Sequence, residues 1–324
     1  MSEPVVVAEL VRSGFVEGRH RGSVVALTAD GRVDWAVGAP DEAVLPRSCN
    51  KPLQSLGMVR LGLDLPPTLL ALACASHSGE PFHLEGVRRI LATAGLDESA
   101  LQTPPDYPLD DEERDAVLRA GGGRTPIHMN CSGKHAAMLW TCVINGWEPQ
   151  DYLQPDHPLQ RYLRDTITTL AKAPAAPTST DGCGAPLYGL PLVGLARALQ
   201  VMPSTPAGAR VGAAMRAYPE FVGGTDRDVT HLMRGVPGLV AKDGAEAVQA
   251  MVVDVDGRRF GISLKIEDGA QRARSVVAAA VLEALGMVTA VTVEHRRQTV
   301  LGGGRPVGWI RPSAALDGLR VAAH

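Results

Sequence analysis

A chain of 324 residues, 45% hydrophobic and 21% charged with a net charge of -3, carries enough apolar material for a sizeable core and shows no basic stripe for nucleic acid. Aromatic residues make up only 4%, which excludes a stacking platform for bases or sugars. No uninterrupted apolar run reaches membrane-span length, and the opening Met1-Ser2-Glu3-Pro4 lacks the basic start and long apolar core of a secretory signal. A cytoplasmic protein without membrane or nucleic-acid partners is expected.

In chain order, the first clear element is a hairpin over 22–37, with β-branched runs on either side of Asp30-Gly31. Apolar spacing of helical period then recurs at 51–62, 84–95, 132–146, 158–171, 186–200 and 206–218. Proline-rich connectors such as Thr103-Pro104-Pro105 separate these stretches. A second Asp-Gly hairpin follows at 248–266, turning at Asp256-Gly257. The stretch 270–285 reads as an amphipathic helix stopped by Gly286, and 302–310 as a turn and strand. The simplest architecture is an α+β fold in which both chain ends build one antiparallel sheet and a helical lobe is inserted between them. The expected boundaries are a sheet lobe of 1–47 plus 240–324 and a helical lobe of 48–239, together forming a single catalytic domain.

Lysine is scarce: five lysines stand against 27 arginines. Two of the five follow a nucleophile-type side chain by three positions, in Ser48-Cys49-Asn50-Lys51 and Cys131-Ser132-Gly133-Lys134. Arginine stays charged, whereas a lysine in an apolar pocket sheds its proton and acts as a base. Serine needs such a base to become a nucleophile. Ser48 and Lys51, one helical turn apart, therefore form a candidate nucleophile and base, with a capping serine and a solvated lysine as the plain alternative. Pro52 requires the helix to begin close to Asn50. Ser76-His77-Ser78-Gly79 has the make-up of a loop facing a pocket, or of an ordinary cap. Lys265 stands among apolar neighbours in a strand, either snorkelling from an edge or pointing into a cleft.

The five cysteines, an odd number without a signal sequence, argue against a disulfide framework. Cys74 and Cys142 sit in apolar runs and read as core fillers. Cys131 and Cys183 are the types of ligand that suit zinc, with Asp181 or His135 to complete a set. Their spacing matches no zinc finger, and unrelated loop cysteines are the competing reading. A phosphate loop at Ser132-Gly133-Lys134 is excluded, because the upstream glycine is missing.

Taken as a set, Arg47-Ser48-x-x-Lys51-Pro52, Cys74-Ala75-Ser76-His77-Ser78, Asn130-Cys131-Ser132-Gly133-Lys134-His135, Asp156-His157-Pro158, Thr180-Asp181-Gly182-Cys183 and Gly261-Ile262-Ser263-Leu264-Lys265 resemble the rhizobial-type asparaginase II family. This class is separate from the threonine-dependent bacterial and the plant-type asparaginases. The resemblance implies a fold similar to serine β-lactamases and bacterial glutaminases. It implies two serine–lysine tandems, Ser48 with Lys51 and Ser76 with Lys265. It further implies zinc held by Cys131, Lys134 and Cys183, positioning substrate without generating the nucleophile. Asp181, His77 and Arg47 would lie around the substrate. The implied activity is hydrolysis of L-asparagine to L-aspartate and ammonia through a serine ester, in a homodimer. Glutamine or another small amide is the alternative substrate, since one methylene changes discrimination by only about 1–3 kcal/mol.

Overall fold

The computed structural model of the protein describes residues 3–318. The fold is mixed α and β and divides into two compact units. One comprises the N-terminal segment to Cys49, Leu190–Gln200 and the C-terminal segment from His231. The other comprises Asn50–Gly189 and Val201–Thr230.

The first unit is built on an eight-stranded sheet. Its strands run in the order Gln298–Gly302, Arg305–Pro312, Val5–Arg12, Phe15–Leu27, Arg258–Ile266, Val248–Val255 and Val240–Gly244, every neighbouring pair antiparallel. Val33–Val37 pairs with the second half of Phe15–Leu27, beyond the reach of Val5–Arg12. Both chain ends thus share one sheet, as the paired hairpin signals require. The second hairpin turns at Asp256 (φ 49°) and Gly257 (φ 75°), the two positive dihedrals of a type I′ turn. Val24, Val25, Ala26 and Leu27 are all buried, so the second half of Phe15–Leu27 is covered on both faces and loses the usual in–out alternation.

The stretch 186–200 departs from the expected single helix. Pro186–Tyr188 pairs as a short strand with Thr178–Thr180, Leu190–Pro191 pairs with Ala43–Val44, and only Leu192–Val201 is helical. Pro186 and Pro191 account for this: neither can sit inside a helix, and both are tolerated in marginal strands. The lobe boundary shifts too, because 190–200 lies with the sheet and not with the helices. Leu192, Val193 and Ala196 bury against Val25 and Leu27. Ser263 Oγ donates to the Leu192 carbonyl at 2.7 Å, and Gln200 Nε2 donates to the carbonyls of Thr28 and Arg259 at 2.7 Å each.

The second unit is helical, with Lys51–Arg60, Pro67–Ala73, Pro81–Thr93, Ser132–Ile144, Pro158–Ala171 and Pro206–Ala217 as its main helices. Five of these six carry proline in the first turn, where a missing N–H costs nothing. Pro52 is one of them, so the helix opens at Lys51. The helices Pro67–Ala73, Asp111–Arg119 and Asp228–Gly235 were not assigned from sequence. The first and last of these are too short for two full apolar repeats, and the middle one buries no residue at all. No described helix is long and apolar enough to cross a membrane. All five cysteines are buried, and none is in a disulfide.

Candidate active site

Ser48 lies in the 3-10 turn Arg47–Asn50, which runs into the helix opening at Lys51. The turn is anchored from within its own unit: the Cys49 thiol donates to the Lys242 carbonyl at 3.1 Å. Burial pushes this thiol up to about 12, which makes it a donor and not a nucleophile. The preceding Arg47 has φ 51°, a left-handed conformation unusual for a side chain of this size.

Lys51 is 1% exposed. Its Nζ lies 3.1 Å from Ser76 Oγ and 3.0 Å from Cys131 Sγ, and it donates to the Ala75 carbonyl. Ser76 stands just past the helix Pro67–Ala73, held by its N–H on the Val222 carbonyl at 3.0 Å. The sequence set Lys51 beside Ser48; the fold of the second unit also brings it onto Ser76. Lys265, expected beside Ser76, belongs to the first unit, and Ser76 to the second. Lys265 occupies the strand Arg258–Ile266 opposite Ser23 and donates to the Ile266 carbonyl. Burial lowers its pKa, an effect that Glu267, Glu246 and Asp268 oppose.

Cys131 caps the helix Ser132–Ile144, and Lys134 stands in its first turn. Gly133 is needed here, because a Cβ at that position would come 2.6 Å from the Leu72 carbonyl oxygen. Lys134 Nζ lies 3.1 Å from Cys183 Sγ. Cys183 is carried by a tight turn in which Asp181 N–H meets the Ala185 carbonyl and Gly184 N–H meets the Asp181 carbonyl, both at 2.9 Å. Asp181 Oδ2 is 3.9 Å from Cys183 Sγ. The interaction between the two sulfurs drives them apart in acidity: with burial it raises the pKa of Cys131, and with the Lys134 ammonium it lowers that of Cys183 against burial. Burial would discharge Lys134, but the sulfurs of Cys183 and Cys131 outweigh it and raise its pKa.

These donors bear on the zinc expectation. Among the described residues, no group of three or more histidines, cysteines or acids is arranged around a metal. The cluster of Cys131, Cys183 and Lys134 nevertheless offers two soft sulfurs and one nitrogen in mutual contact, a donor set whose chemistry fits zinc once thiol and ammonium protons leave. Beside it, His135 Nδ1 meets the Tyr152 hydroxyl at 2.6 Å, while its Nε2 is buried without a hydrogen bond.

His77 is fully buried. Its Nε2 lies 2.8 Å from Ser132 Oγ, and Ser132 in turn donates to the Ile127 carbonyl at 2.8 Å. The serine proton being used, Nε2–H must be the donor. Burial holds His77 well below its usual pKa, in the neutral form. His77 N–H also donates to the Asn130 carbonyl at 3.0 Å. The residue therefore ties the Ser76 segment to the helix end that carries Cys131 and Lys134.

Two residues of the neighbourhood were not singled out from sequence. Asn130 Oδ1 accepts from Cys131 Sγ at 3.1 Å, and its place before Cys131 was the only signal. Glu246 pairs with Arg47 at 3.9 Å, and nothing in Gly244-Ala245-Glu246-Ala247 marks it.

The sequence profile described as L-asparaginase II matches residues 8–312 of the chain. Among curated proteins, none matches. Among solved structures, a β-lactamase from Sphaerobacter thermophilus is 13% identical with a TM-score of 0.42, covering 83% of this chain and 92% of its own. A Bacillus glutaminase is 12% identical with a TM-score of 0.39, covering 82% and 91%. A crystal structure of Mglu is 13% identical with a TM-score of 0.42; this chain spans 67% of that longer chain, and 61% of Mglu in its glutamate form.

Proposed function

Because the chain belongs to the L-asparaginase II family, we propose that it is an amidohydrolase that converts L-asparagine to L-aspartate and ammonia through an ester on serine. The observation that carries this reading is the buried amine of Lys51, 3.1 Å from the hydroxyl of Ser76. A lysine in that setting has one chemical use that a surface lysine lacks, which is to move a proton to and from an adjacent hydroxyl.

In this reading Ser48 attacks the side-chain carboxamide and Lys51 takes its proton. A C–O bond forms, and backbone N–H groups, that of Ser48 among them, receive the developing oxyanion. Each such donor is worth about 3–4 kcal/mol. The C–N bond then breaks, and the proton passes from Lys51 by way of Ser76 to the departing ammonia. Water attacks the ester and gives its proton to Lys51; the bond to Ser48 Oγ breaks, Lys51 returns the proton to that oxygen, and L-aspartate leaves. Lys265, whose lowered pKa favours the free amine, serves Ser76 as the second base. Cys131, Lys134 and Cys183 would hold zinc, which supplies a Lewis acid for gripping polar groups of the substrate. With or without it, Lys134 and Cys183 keep the helix end and the loop Asp181–Gly184 together.

Ammonia release from asparagine, glutamine and a panel of small amides tests the reading, with Ser48→Ala and Lys51→Ala beside the parent. Turnover of asparagine that vanishes in both variants supports it. Unchanged turnover in both overturns the serine–lysine mechanism, and a preference for glutamine moves the substrate without changing the chemistry.

A further inference from the structure

Of the five lysines, the reading above uses Lys51, Lys134 and Lys265; Lys242 is as deeply buried as any of them and has no part in it. It stands in Val240–Gly244, the strand at one end of the sheet, which pairs with Val248–Val255. Its Nζ turns onto its own neighbour, donating to the Asp243 carboxylate at 2.5 Å and to the Asp243 carbonyl at 2.7 Å. Asp243 is itself 4% exposed, so both charges lie inside the fold. Arg274, also buried, donates to Gln249, which stands opposite Asp243, and to Gln271 at 2.6 Å.

Carbonyls along a strand point alternately to either side, so those of Lys242 and Gly244 face the same way. Each is taken by a side chain from elsewhere in the first unit: the Cys49 thiol donates to the Lys242 carbonyl at 3.1 Å, and Gln271 Nε2 donates to that of Gly244 at 3.1 Å. The turn that carries Ser48 lies directly against this edge. A Cβ at Gly244 would come 3.0 Å from the Pro46 carbonyl, 3.2 Å from Cys49 Sγ and 3.3 Å from Arg47 Cβ. Burial raises the Cys49 thiol, and the charges of Lys242, Asp243 and Arg274 act on it as well. The peptide planes that receive the Ser48 turn are therefore the ones that the Lys242 ammonium grips.

We propose that Lys242 is a positioning residue for Ser48: by holding the carbonyl and carboxylate of Asp243 it fixes the sheet edge from which Cys49 suspends the nucleophile's turn. A buried ion pair is weak evidence for stability, since apolar residues of like volume serve as well; what it supplies here is one defined arrangement of the edge. Ser48 then sits where its hydroxyl meets substrate, and a small displacement of that hydroxyl is felt in the chemical step more than in binding. This rests on the amidohydrolase reading for the role of Ser48 and adds what keeps that serine in place.

The test uses Lys242→Met combined with Asp243→Asn, which removes the ammonium without stranding a buried carboxylate, and Cys49→Ala, which cuts the tether and leaves the ion pair whole. At a temperature where each protein is folded, kcat for asparagine falls about 10-fold to 100-fold in both while KM changes little. Combining all three substitutions adds no further loss, because they break one linkage. A kcat equal to the parent's, or losses that multiply, overturns the proposal. Amide hydrogen exchange gives a readout that needs no activity. Exchange at Arg47–Asn50 quickens at least tenfold in the same variants while Pro158–Ala171 keeps the parent's protection. Unchanged exchange at the turn, or exchange that quickens alike throughout, overturns the proposal, and Cys49→Ala carries both readouts should the Lys242 variant not fold. If the parent hydrolyses no amide, the function proposed above fails by itself, and hydrogen exchange alone decides whether Lys242 holds the turn.

Discussion

Lys51 Nζ and Ser76 Oγ, 25 positions apart in the chain, meet at 3.1 Å inside the helical unit, and the same amine reaches Cys131 Sγ at 3.0 Å. One buried amine therefore joins the two motifs that the sequence presented as separate, the serine–lysine set and the cysteine–lysine set. A change at Lys51 is felt in both.

Replacing Lys51 by methionine keeps the bulk of the side chain and removes the proton carrier. Proton transfer by a positioned base contributes about 10²–10⁴-fold, so kcat falls by that range while KM changes little. Ser76→Ala costs about 10-fold to 100-fold, because a relay can be bridged by water, and Ser48→Ala abolishes ester formation. Quenched-flow mass measurement of the acylated protein separates these outcomes. An ester that still forms in Ser48→Ala would move the nucleophile to another residue.

Removing the Cys183 sulfur leaves Lys134 as a buried ammonium without its nearest partner. Breaking a buried pair on one side destabilises by about 3–5 kcal/mol. Urea unfolding of Cys183→Ala shows that loss, and Cys183→Ala with Lys134→Met recovers part of it. Metal analysis of the same proteins reports zinc in the parent and none in the variants.

Acid should unfold the helical unit through its buried histidines. Burial lowers His83 from 6.5 to about 4 and holds His77 further down. Both groups are neutral in the fold, so above pH 6.5 they leave stability unaffected. As pH falls from 6.5 towards 4 the unfolded chain binds protons that the folded chain refuses. Stability then drops by about 1.4 kcal/mol per pH unit for each histidine, on the order of 3 kcal/mol for His83 by pH 4. Urea midpoints at pH 7, 5.5 and 4.5 measure the slope. His83→Gln, whose amide still donates to the Glu220 carbonyl that His83 Nε2 meets at 2.8 Å, gives a shallower slope than the parent.

Gly133→Ala places a Cβ where the Leu72 carbonyl oxygen already stands, 2.6 Å away. The helix Ser132–Ile144 must withdraw from Pro67–Ala73, at about 1–3 kcal/mol. Because Cys131 and Lys134 flank the glycine, activity falls along with the thermal midpoint. Loss of activity at an unchanged midpoint would contradict the packing explanation.

The sequence by itself determined the local elements. Asp30-Gly31 and Asp256-Gly257 between β-branched runs specified two hairpins, and turn chemistry of that kind depends only on neighbouring residues. Helical spacing with proline in the first turn specified Lys51–Arg60, Pro158–Ala171 and Pro206–Ala217, while Pro186 and Pro191 overrode the same spacing at 186–191. The scarcity of lysine singled out Lys51, Lys134 and Lys265, because a residue type that is avoided elsewhere and retained in a few places carries information without any fold.

Tertiary structure alone decided which of these side chains meet. Cys131 lies 80 positions from Lys51, and Cys183 lies 49 positions from Lys134. No local period encodes such pairs; they follow from how Gly133 lets one helix press on another and from the turn that presents Cys183. Glu246 was invisible for the same reason. Its pairing with Arg47, 199 positions away in the chain, exists only once the chain closes around both.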